Sequence, residues 1–160
     1  MKKQHAKIGV AGLVILAVVL LGYLWLRPQP CEQEYSSVIY SNDTGMVKNT
    51  VMGLKGDTYR GFPGKSEFVG KLTADGDLQY EIKLKESGGY YLGIMTFFGE
   101  DRRIHTIGIV NASIKLNKLW VMLTDINERY GFENGEGYIA GPASTLEEGQ
   151  QVAREIMGSP

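Results

Sequence analysis

The chain has 160 residues, with 17 basic and 18 acidic side chains and a formal net charge of −1. Its 21 glycines and five prolines follow no fixed period, which excludes collagen-like, solenoid and low-complexity organisation. Lys2, Lys3, Lys7 and Arg27 flank one apolar run, so 13 basic residues remain against 18 acidic ones in the rest of the chain. No Lys/Arg cluster is left there to neutralise phosphates, and no nucleic-acid partner is indicated.

Residues 8–26 (IGVAGLVILAVVLLGYLWL) contain no charge. At 1.5 Å per residue this run is about 28 Å long as a helix, close to the hydrocarbon thickness of a bilayer. It is expected to be an uncleaved transmembrane anchor following a basic flank at residues 1–7. Tyr23 and Trp25 would lie in the interfacial aromatic belt, and the lysine bias would place the N-terminus in the cytoplasm and the remainder outside. A cleavable signal peptide would have a shorter apolar region and small residues at its cleavage site, and a lipoprotein signal would need a small residue before Cys31, where Pro30 stands. Cys31 is the only cysteine, so an intramolecular disulfide and a cysteine zinc cluster are excluded. An exported domain without disulfides points towards a bacterial cell envelope.

Pro28 and Pro30 suggest an extended linker over residues 27–34, leading to one β-rich domain over residues 35–160. Phe68, Gly70 and Leu72 alternate with Glu67, Val69 and Lys71. After Asp75-Gly76, Leu78, Tyr80, Ile82 and Leu84 alternate with Gln79, Glu81, Lys83 and Lys85. This period of two around a tight turn predicts a hairpin. Gly88-Gly89 predicts a second turn into YYLGIMTFF (90–98), which is apolar on both faces and is expected as a central, buried strand. Strands are also expected over 104–116 and 119–123, although a helix across 112–123 fits the same apolar spacing. Asn134-Gly135 marks a further hairpin or loop. Thr145 with Glu148 forms a capping-box pattern and predicts a helix over 146–157, with Leu146, Val152, Ala153, Ile156 and Met157 as its apolar stripe and Gly158 as a C-cap. Gly149 should weaken that helix by about 1 kcal/mol relative to alanine. The expected architecture is α+β: a transmembrane helix, then a small, mostly antiparallel sheet, sandwich or partly open barrel with the C-terminal helix packed on it.

Catalytic patterns are scarce. His105 is the one histidine beyond the anchor and reads as a strand residue, and no serine lies in G-x-S-x-G or S-x-x-K. Asp75, Asp77, Gln79 and Glu86 match positions 1, 3, 5 and 12 of a calcium loop, but Tyr80 occupies the position that needs glycine and the alternation demands a strand. The sequons at Asn42 and Asn111 are short enough to arise by chance. No cofactor is indicated. Asp125, Glu128, Tyr130, Phe132, Glu133 and Tyr138 concentrate carboxylates and aromatics around a supposed loop, a composition suited to an envelope protein or glycan partner. The expected function is a membrane-anchored, extracytoplasmic, non-catalytic binding or assembly module. The alternative is a small envelope hydrolase using carboxylates within residues 125–136.

Overall fold

The computed structural model describes residues 2–42, 44–61, 65–98, 102–132 and 137–158, and the side chains of these except residues 2–13, 97 and 98. A long helix, α1 (Lys2–Leu26), precedes eight strands: β1 (Gln29–Ser41), β2 (Val47–Arg60), β3 (Ser66–Ala74), β4 (Leu78–Ser87), β5 (Tyr90–Phe98), β6 (Ile104–Ser113), β7 (Leu119–Leu123) and β8 (Gly137–Gly141). Helix α2 (Thr124–Tyr130) joins β7 to β8, and α3 (Leu146–Met157) closes the chain. Each strand pairs antiparallel with the next and β8 pairs back onto β1, so the sheet is a closed eight-stranded barrel.

The expected hairpin forms with Ala74 opposite Leu78. Its turn holds Asp75 and Gly76 at φ 49° and 85°, left-handed backbone that glycine and aspartate tolerate better than most residues. Phe68, Leu72, Ile82 and Leu84 face inward, as their alternation implies, and join Tyr35, Ile39, Met52, Val110, Leu119 and Ile139 in a filled core. Residues 29–34, expected as linker, are instead the first half of β1, paired with β2 from Gln29 onward.

The expectation for β5 needs correction. It is a strand, but a barrel strand has one inner and one outer face. Tyr91 and Met95 are buried while Ile94 is 60% exposed. A second correction concerns residues 124–130, expected as part of a loop. They form α2, which ends where Gly131 takes the left-handed conformation and donates its N–H to the last carbonyls of the helix. The Asn134-Gly135 turn lies outside the described residues.

Helix α3 starts where expected. The Thr145 hydroxyl accepts the Glu148 N–H at 3.2 Å, while the Glu148 carboxylate accepts the Ser144 N–H at 2.7 Å, one residue ahead of the usual capping-box partner. Val152 and Ile156 of its stripe pack on Val38, Tyr40 and Ala140 at the outer face of β1, β7 and β8, with Leu146 against them, while Met157 stays 46% exposed. Gly149 belongs to this contact, because a Cβ there would lie 2.9 Å from both Tyr40 and Val38. The glycine that lowers helix propensity is what allows close approach to the sheet. Ile156 is buried at the rim, so Ile156→Ala is expected to lower unfolding free energy by about 2 kcal/mol. A chemical denaturation curve would read this, and an unchanged midpoint would show that α3 does not stabilise the barrel.

Helix α1 forms over the apolar run. Every large apolar side chain described in it, from Val14 to Leu26, is more than half exposed. Among the described residues no helix is long and apolar enough to cross a membrane.

Candidate functional site

The six residues that composition grouped together fall in different surroundings. Asp125, Glu128 and Tyr130 stand on α2, and Glu133 lies outside the described residues. Phe132 is 7% exposed, packed against the position where Gly137 would carry a side chain. Tyr138 sits apart from them on the outer face of β8, stacked on Trp120 at 5.0 Å between centroids and tilted against Tyr40 at 5.6 Å. Asn127 ties the two ends of this stretch together by accepting the Gly137 N–H at 2.9 Å. Sequence spacing along residues 125–138 therefore does not translate into one exposed surface.

What α2 does build is an ionic cluster at the barrel end farther from α1. Asp75, its side chain 6% exposed, accepts hydrogen bonds from Arg129 (2.8 Å), Tyr130 (2.8 Å), Lys48 (3.2 Å) and Thr50 (3.2 Å). Burial alone would raise its pKa, but the hydrogen bonds from Tyr130, Arg129 and Lys48 outweigh that and hold the carboxyl below its ordinary value. Arg129 also grips Asp77 with both guanidinium nitrogens, at 2.8 and 2.9 Å, which keeps the Asp77 carboxyl low as well. Tyr80 donates to Asp125, and its phenol is pushed up first by burial and then by that bond. The two cations and two aspartates of the hub balance, and their polar atoms engage one another. This cluster pins the β3–β4 turn and the start of β2 to α2. Asp75 and Asp77, the first two positions of the calcium-like spacing, are held by Arg129, while Glu86 accepts the Ser66 N–H.

Two of the outer grooves bear on the site. One, of about 500 Å³, runs between α3 and the Tyr40, Trp120 and Tyr138 rings, with Asn42, Gln150 and Arg154 at its rim. The Trp120 indole N–H already donates to the Tyr40 hydroxyl at 3.0 Å, and the same rings form the floor on which α3 packs. The other, of about 390 Å³, opens between β4 and β5. Near α1, Arg60 at the end of β2 holds its guanidinium 4.6 Å above the Trp25 ring, so the helix and barrel meet through a cation–π contact. Tyr23 and Trp25 are otherwise exposed. Cys31 is half-buried, and burial pushes its thiol pKa up, which disfavours the reactive thiolate.

No family model, curated protein or solved structure matches this chain.

Proposed function

We propose that this chain is a membrane-anchored binding or assembly module that holds its barrel outside the cytoplasm, with residues 8–26 as the anchor. The observation that carries the reading is the state of α1. Its described side chains from Val14 to Leu26 form an apolar surface around the whole helix, and the barrel covers almost none of it. A helix apolar on all sides needs an apolar surrounding, and a lipid bilayer supplies one of the right thickness once the run from Ile8 is included. The Arg60–Trp25 pair fits the water–lipid boundary, where an indole and a guanidinium both favour a half-wet position. The barrel interior is filled by side chains, which favours action through the outer surface over enclosure of a small molecule. For the hydrolase alternative, Asp125 is already engaged by the Tyr80 hydroxyl.

Membranes from the native cell test the reading. The chain is expected to resist alkaline extraction, to retain its N-terminal lysines by mass spectrometry, and to lose the barrel to protease added outside spheroplasts. Release by alkali, or a mature N-terminus beyond Gly22, would refute the anchor; digestion only after lysis would reverse the orientation.

A further inference from the structure

The barrel closes unevenly. Strands β4 and β5 pair at three positions, Lys85 with Leu92, Glu86 with Tyr91 and Ser87 with Tyr90. Beyond these, among the described residues, no ladder joins residues 78–84 of β4 to residues 93–98 of β5. Both segments are nonetheless held extended by their other neighbours. β4 pairs with β3 from Leu78 to Lys85, and β5 pairs with β6 from Tyr90 to Phe98. Two formed strand edges therefore face each other without bonding.

The neighbouring ladder is irregular as well. Register between β5 and β6 shifts between Met95 and Thr96, so Ile107 is an extra residue on β6. Such a bulge bends and twists its ribbon. At Gly93 the strands still touch, since a Cβ there would lie 2.5 Å from the Leu84 side chain and 2.9 Å from the Lys83 carbonyl. Past that point the 390 Å³ cavity begins. It is lined by inward-facing residues (Tyr80, Ile82, Met95) and by outward-facing ones (Glu81, Lys83, Thr96). Lining from both faces places it in the plane of the sheet, as a slot between edges.

We propose that this slot is a strand-acceptor site, which takes an extended segment of a partner protein as a ninth strand. The proposal deepens the binding-module reading by naming the partner's chemistry. Neither edge contains proline, so the alternate residues that turn their backbone groups into the slot keep the N–H as well as the carbonyl. Only another extended backbone offers donors and acceptors at matching intervals to both sides at once. Residues 94–98 would span about 16 Å, which sets the occupant at roughly five residues. Its inward side chains meet Ile82 and Met95 and should be apolar. On the outer face, Lys83 and Glu81 already pair with Glu67 (3.0 Å) and Lys71 (3.3 Å) of β3, leaving the exposed Ile94 as the outward contact.

The internal stretches outside the described residues, such as 99–101 and 133–136, are too short to supply the occupant. Nor does a folded second copy suit the slot. Insertion requires a segment free on both edges, and every strand of this barrel already has a paired edge. A segment that is unstructured until bound meets the requirement.

The experiment follows amide hydrogen exchange of the full-length chain in lipid nanodiscs, with a capped heptapeptide of sequence LQYEIKL as the probe. It shares the alternation and length of the slot's own wall. Two analogues carry N-methyl groups on alternate backbone nitrogens, in the two possible phases. The parent peptide is expected to slow exchange in residues 78–83 and 94–98 together, and each analogue to bind at least about tenfold more weakly, because an inserted strand uses donors on both edges. No protection, protection of one wall only, or sensitivity to one phase only would overturn insertion. Edges already protected without peptide, or protection that rises with protein concentration alone, would assign the slot to this chain or to a second copy and overturn it equally. Failure of this test leaves the anchor unaffected, since extraction and protease access are read separately.

Discussion

Phe68→Ala is expected to lower the unfolding free energy by about 3–5 kcal/mol, the full range for removing a buried aromatic side chain. Phe68 is completely buried in the barrel core. The reason to expect little relief lies in what surrounds its ring. Gly56 on β2 and Gly70 on β3 are direct partners, and the Phe68 ring tip lies 2.9 and 2.7 Å from where their Cβ atoms would be. The ring thus covers bare backbone. With phenylalanine gone, no side chain stands at those two positions to lean into the void, so the cavity persists. Urea denaturation at neutral pH would measure the loss, and a change below 1 kcal/mol would show that the barrel collapses onto the gap.

Asp75→Ala should cost about 2–4 kcal/mol, by removing a buried acceptor from Arg129, Tyr130, Lys48 and Thr50 and by placing alanine at φ 49°. Lys48 and Arg129 are partly exposed, at 45% and 34% of their side chains, which keeps the loss below that of a fully buried ion pair. Asp75→Asn retains tolerance for left-handed backbone and should cost less. The same carboxylate makes stability depend on acid. Its folded pKa lies below the unfolded value of about 3.8, so its contribution is complete above that pH and disappears as pH falls through the folded pKa. Midpoints of urea unfolding measured at pH 7, 4 and 3 should therefore fall more steeply for the native chain than for Asp75→Ala. Parallel curves would mean the ionic hub does not stabilise the fold.

Much of the local structure was legible in the residues themselves. Alternation across residues 67–85 specified a hairpin because a half-buried strand must change face at every residue, and Asp75-Gly76 and Gly88-Gly89 supplied the backbone that tight turns require. Thr145 and Glu148 marked the start of α3 because their side chains answer exposed helix N–H groups. The charge-free run 8–26 implied a helix, and α1 is one.

What only tertiary structure decided is which groups meet. Closure of β8 onto β1 is a contact about a hundred residues long in sequence, and no local period encodes it. β5 is apolar on both faces in sequence because it lies on the core inside while Ile94 remains on the outer surface, a distinction that composition cannot make. Asp75 and Asp77 found Arg129 more than fifty residues away, so carboxylates that suggested a metal loop became an arginine clamp. Phe132 and Tyr138, six positions apart, went to different clusters: Phe132, just past the end of α2, joins the barrel core, while Tyr138 on β8 joins the rings under α3. The early end of the β4–β5 ladder and the register shift at Ile107 are matters of backbone pairing between strands that neither strand's own sequence expresses.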